Sequence, residues 1–216
     1  MNENDLALSN SLMDSLDHVV WSGPVIIEVS QIHLMRMQLI LLKGLLEGRG
    51  MRGLFLSVDR PHQYLEHLAR MHKINIGGIT FLDIIYTCSS DSKQGSKIGL
   101  FAGPFNINNL SGAFHLWEHL VGDSLGDPKK GGFVLIDNPA ALLHYNSRQR
   151  VESFLSRMHQ EFNDEMTILM PLLIDKEKNS TLYDFIKPYC TGEIARIEFG
   201  SPTQAQGKQP GNSDGL

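Results

Sequence analysis

Short apolar runs alternate along this chain with longer segments of helical spacing. Val25-Ile26-Ile27-Glu28-Val29 is compact and β-branched, and predicts a buried strand. From Ile32 to Leu46 apolar side chains recur at Ile32, Met35, Leu39, Leu42 and Leu46, with Leu34, Ile40, Leu41 and Leu45 between them. That pattern predicts a helix buried on most of its circumference and stopped by Gly48 and Gly50. Gly53 to Val58 predicts a second strand, and Pro61 opens a helix to about His72 at the first-turn position, where a missing N–H costs nothing. Ile79 to Ile85 predicts a third strand. Residues 86–109 are irregular and rich in Ser, Gly and Asn; a helix is expected from Leu110 to Val121, then a loop from Gly122 to Gly132.

Gly132 to Asp137 carries the clearest strand pattern. Arg148 to Phe162 predicts a helix with its apolar face at Val151, Phe154, Leu155, Met158 and Phe162. Met166 to Ile174 predicts a strand, with Pro171 as a mark against its full length. Ser180 to Tyr189 predicts a short helix and Glu193 to Phe199 a last strand. Strands separated by helices make βαβ units. The expected fold is therefore three-layer α/β, a mainly parallel sheet with helices on both faces. Residues 1–23 read as a polar lead-in, with a short helix around Leu12 to Leu16. Residues 24–200 form the expected domain. Residues 201–216 lack a large apolar side chain before Leu216 and read as a disordered tail.

Composition narrows the function classes. With 42% hydrophobic and 20% charged residues, the chain of 216 residues is globular in character and long enough to bury a core without staples. A net charge of −5 argues against a nucleic-acid-coating surface. Cys88 and Cys190 are far apart and read as two structural thiols of a reducing cytoplasm. No membrane span is expected: the longest stretch without a charged residue, Ile98 to Trp117, is interrupted by Gly99, Gly103, Pro104 and Gly112. In an open parallel sheet, ligands bind outside the carboxyl ends of the strands. That singles out Ser30 to His33, Asp59-Arg60, Tyr86 onward, Asp137-Asn138 and Asp175.

Two of these places carry a resemblance. Leu54-Phe55-Leu56-Ser57-Val58-Asp59-Arg60-Pro61, an apolar strand followed by an acidic residue, Pro and a helix, resembles the second strand of KaiC-like proteins of the RecA superfamily. Phe133-Val134-Leu135-Ile136-Asp137, with the Ala140-Ala141-Leu142-Leu143 run after it, resembles that family's Walker B segment. The resemblance spans about residues 20–198. It implies a RecA/KaiC-like domain in which Asp137 would hold magnesium through water and Asp59 would match a water-activating carboxylate. The local readings beside these are an Asp137 that caps the turn before Pro139, and an Asp59 that pairs with Arg60 or caps the next helix.

The family's phosphate loop is missing. It requires G-x-x-x-x-G-K-[ST], glycines so that backbone N–H groups can wrap phosphate, Lys for the β- and γ-phosphates, and Ser or Thr for magnesium. Residues 28–36 offer only Ser30, Gln31, His33 and Arg36, with no glycine, and Glu28 would repel phosphate.

One further motif stands apart. His115-Leu116-Trp117-Glu118-His119 spells H-x-x-E-H, which on a helix puts two histidines on one face with Glu118 as general base; Glu193 is a distant candidate third ligand for zinc. The other reading is an ordinary amphipathic helix. The leading expectation is a non-catalytic pseudo-ATPase, without cofactor, that works through a protein partner or self-association, an active RecA-like relative included. The alternatives are a nucleotide-responsive ATPase using ATP and Mg with an atypical loop, and, more remotely, a zinc-dependent hydrolase.

Overall fold

The computed structural model describes residues 1–19, 23–83, 131–161, 168–197 and 199. Six strands of the described residues form one sheet: β1 (Pro24–Glu28), β2 (Arg52–Ser57), β3 (Ile79–Asp83), β4 (Gly132–Asp137), β5 (Ile168–Ile174) and β6 (Gly192–Ile194). Their order is β3-β2-β4-β5-β1-β6, and every pairing is parallel. Among the described residues six α-helices accompany them: α1 (Glu3–Asp17), α2 (Leu34–Lys43), α3 (His62–Met71), α4 (Pro139–Tyr145), α5 (Arg148–Glu161) and α6 (Ser180–Ile186).

Alternation along the strands sends side chains to two cores. Val25 and Ile27, Phe55, Phe81, Phe133 and Leu135 face one side, where α1, α2 and α3 cover them. Ile26, Leu54 and Leu56, Leu82, Val134 and Ile136 face the other, where α4, α5 and α6 cover them. The fold is thus the three-layer α/β arrangement that the strand–helix alternation predicts. The crossovers from β1 and β2 share the first face, whereas those from β4 and β5 take the second. The sheet therefore has crevices at its carboxyl end between β2 and β4, and between β5 and β1, where neighbouring strands send their chains to opposite faces.

Several local expectations are corrected. The helix near Leu12–Leu16 extends over Glu3–Asp17, opened by an Asn2–Asp5 capping box. Its buried residues Leu12, Met13 and Leu16 join the first core, so the lead-in is part of the folded body. The long second helix is a 3-10 turn at Gln31–His33, then α2, then a π-helical turn at Gly44–Gly48. Gly44 lets α1 approach closely: a Cβ there would lie 2.7 Å from Met13 Cε and 2.9 Å from Ser9 Oγ, so those side chains would have to shift. α4 was not foreseen; Asn138, in the left-handed region at φ 67°, caps it by accepting from the Ala140 N–H, and Pro139 stands at its first turn. β3 is described to Asp83, and β6 is only three residues long rather than running to Phe199. Pro171 does sit inside a central strand. The ladder of β5 on β4 ends at Leu169, short of Pro171, whose nitrogen has no hydrogen to donate.

Candidate functional site

Among the described residues, Ser30, Gln31, Asp59, Arg60, Asp137 and Asp175 lie at the carboxyl end of the sheet or just beyond it. At the β5/β1 crevice the chain leaves β1 through Val29 and Ser30 into the 3-10 turn, with the His33 N–H donating to the Ser30 carbonyl at 2.8 Å. No residue between 28 and 36 has a positive φ. The Gln31 N–H donates to Asp175 Oδ2 at 2.7 Å, and the Lys178 N–H donates to Asp175 Oδ1 at 3.0 Å. Asp175, at the end of β5, is 4% exposed. Burial works to raise its carboxyl, but N–H groups of Gln31, Lys178 and Glu177, with Arg196 nearby, outweigh that and hold it below the usual carboxylate range. Its charge is therefore fixed where a helix start would otherwise favour an external anion.

The other expected phosphate-loop residues are engaged or turned away. Arg36 pairs with Asp5 at 2.6 Å and lies over the Phe199 ring, 4.8 Å from its centroid. The His33 ring lies 4.3 Å from that of Phe199. Ile32 projects outward and is 84% exposed.

At the β2/β4 crevice three polar residues form one row. Strand register sets Asp83 beside Ser57 and Ser57 beside Asp137. All three follow Phe81, Phe55 and Leu135 by two positions, so they share the first face. All are buried, at 4%, 1% and 3% exposure. Neighbouring strands stand about 4.8 Å apart, so Ser57 separates two buried carboxylates.

Asp137 does not cap the turn before Pro139, a task taken by Asn138. Its Oδ1 instead accepts from Gln38 Nε2 of α2 at 2.8 Å and from the Arg60 guanidinium at 3.3 Å. Burial pushes this carboxyl above the usual carboxylate range, against the pull of Gln38 and Arg60. Three buried atoms around it have no hydrogen-bond partner among the described residues: Gln38 Oε1, Ser57 Oγ and Arg60 Nε.

Asp59 is exposed, and the ion pair formed by Arg60 is with Asp137. Nor does Asp59 cap α3. That role falls to Asp83, which accepts from the His62 N–H at 3.1 Å and sits 2.6 Å from His62 Nδ1. The His62 ring stacks on Phe81 with centroids 5.1 Å apart.

The sequence reading missed Gln38, Ser57, His62 and Asp83. Gln38 had a legible signal, as the only polar side chain between Met37 and Leu42 of a helix expected to be buried nearly all round. The others reveal nothing until register sets their strands side by side.

His115, Glu118, His119 and Cys88 lie outside the described residues. Among the described residues no three His, Cys, Asp or Glu side chains are grouped as metal ligands, and no helix is long and apolar enough to cross a membrane. Glu193 instead accepts from the Tyr183 hydroxyl at 2.7 Å and pairs with Lys187 at 3.2 Å. The Cys190 thiol is pushed up to about 12 by burial, as suits a packing role. In comparisons with known proteins, no family model and no curated protein matches this chain.

Proposed function

We propose that this protein is a RecA/KaiC-like pseudo-ATPase, a non-catalytic regulatory or interaction module. The observation that carries the reading is the Asp175 carboxylate on the Gln31 N–H. An amide at the start of the β1–α2 turn is where a phosphate would be held in the family that the sequence resembles. Here the protein supplies its own anion to that amide. A phosphate entering would lose this donor and meet a buried carboxylate of like charge. Two unit charges 4 Å apart repel by about 4 kcal/mol at an effective dielectric of 20. The turn also lacks the glycines and lysine of a phosphate cradle.

Protein contact is the function left to such a face. Ile32, an apolar side chain in solvent at the turn beside β1, is the residue this reading places at the contact. The partner in this reading is a second copy or an active RecA-like relative. The competing reading, an atypical nucleotide switch, draws support from the unpaired polar atoms beside Asp137.

Thermal unfolding with millimolar Mg-ATP separates the two. A ligand at 100 times its Kd stabilises by about 2.7 kcal/mol, a shift of several degrees for a chain of this size. The expected result is an unchanged melting temperature. An ATP-dependent rise that Asp137→Ala abolishes would make the protein a nucleotide switch.

A further inference from the structure

The magnesium that the resemblance implies for Asp137 does not suit the groups found there. A divalent ion needs the carboxylate's free oxygen and other oxygen ligands, and Gln38 Oε1 and Ser57 Oγ would qualify by element. However, the Arg60 guanidinium already holds Asp137 at 3.3 Å. Arg60 Nε is one bond from the guanidinium carbon and is itself buried without a partner, so part of the cation is withdrawn from solvent.

Two of the unpaired atoms belong to side chains that meet on Asp137. Gln38 Nε2 and the Arg60 terminal nitrogen both bond the same Asp137 oxygen. Gln38 Oε1 and Arg60 Nε each lie about 2.3 Å from those nitrogens by covalent geometry, and Ser57 is the adjacent residue of the row. The set combines an acceptor, a hydroxyl that both donates and accepts, and a donor. Its carboxylate and guanidinium balance in charge. A metal ion would satisfy the acceptor and repel the donor; an anion would do the reverse. A neutral molecule that both donates and accepts satisfies all of them, and water is the smallest.

We propose that the β2/β4 crevice is a hydrated site with a resident cation: Arg60 occupies the position on Asp137 open to a divalent metal in the family, and buried water completes Gln38 Oε1, Ser57 Oγ and Arg60 Nε. This deepens the non-catalytic reading but is tested apart from it. The probe is Mn2+ alone, without nucleotide, on the full chain, followed through the Gln38 side-chain amide resonances.

Mn2+ at millimolar concentration should leave those resonances unbroadened. The amide should show a magnetisation-transfer cross-peak to a long-lived water. Arg60→Met, which removes the charge from a one-third-exposed side chain, should increase broadening at least tenfold, and Asp137→Asn added to it should abolish that gain. Broadening in the unmodified protein would overturn the resident-cation assignment, as would Arg60→Met without gain. Absence of the water cross-peak would overturn the hydrated site. A melting shift with Mg-ATP but no Mn2+ response would sink the pseudo-ATPase reading and leave this assignment standing.

Discussion

Asp175 and Asp137 are both buried strand-end carboxylates, yet their surroundings move them in opposite directions. Asp175 meets several backbone N–H groups, and its carboxyl is lowered; Asp137 has an amide and a half-screened guanidinium, and burial wins. Asp175 therefore supports the fold as an anion. Its contribution is complete above its unfolded value, about 3.9, and is lost as pH falls through the lower folded value. Replacing it by Asn turns an amide nitrogen toward donors that need an acceptor. We expect Asp175→Asn to cost about 1–3 kcal/mol in urea unfolding at pH 7, the usual penalty for a buried polar group left unpaired. The gap between the two proteins should hold from about pH 8 to pH 5 and narrow below about pH 4. A gap that stayed constant to pH 2 would show that the Asp175 charge is not what matters.

At the scale of elements, α1 is where sequence and structure differ most usefully. Its apolar side chains are few, and between them stand Asn10, Ser11, Asp14 and Ser15, so the segment reads as polar by content. What makes it a core helix is spacing: Asp5, Ser9, Leu12, Met13 and Leu16 fall on one stripe. Even the polar members of that stripe have partners. Asp5 takes Arg36, and the Ser9 hydroxyl donates to the Ile40 carbonyl at 3.2 Å. Leu16 is completely buried. Leu16→Ala should therefore cost about 2–5 kcal/mol in chemical denaturation, as a core truncation does, because the surrounding helices cannot close the gap fully. A loss under about 0.5 kcal/mol, the range of surface substitutions, would mean that α1 lies loosely on α2.

Across the whole molecule, β1 is bound on one side by β5 and on the other by β6. A strand near the start of the chain thus depends on two strands near its end, and the sheet cannot close before most of the chain is made. Contacts this distant in sequence slow folding, because loop-closure entropy is spent before they form. A fragment ending at Asn146 would keep β1 to β4 but lose both of β1's neighbours, leaving Val25, Ile26 and Ile27 without their ladder. Circular dichroism in urea should show no cooperative transition for it, whereas the full chain should give one. A cooperative transition in the fragment would show that β2, β3 and β4 form a foldable unit alone.

The amino-acid pattern by itself determined the strand–helix alternation, the three-layer α/β class and the carboxyl-end positions Asp137 and Asp175, because period and apolar content are local properties. It also determined that residues 28–36 form no glycine-rich phosphate cradle, since none of them is glycine. Only the tertiary structure decided what those positions do. Asp137 turns from its neighbouring turn to Gln38, 99 residues earlier, and Asp175 caps a turn 144 residues away. Local chemistry offered nearer partners, the turn before Pro139 for Asp137 and Asp59 for Arg60. Strand register and helix packing overruled that choice by placing a distant group within hydrogen-bond reach in a buried space, where an unpaired charge is costly. Sequence spacing carries no record of that juxtaposition, which is why Ser57, between two carboxylates and without a partner of its own among the described residues, passed for one more small residue in an apolar strand.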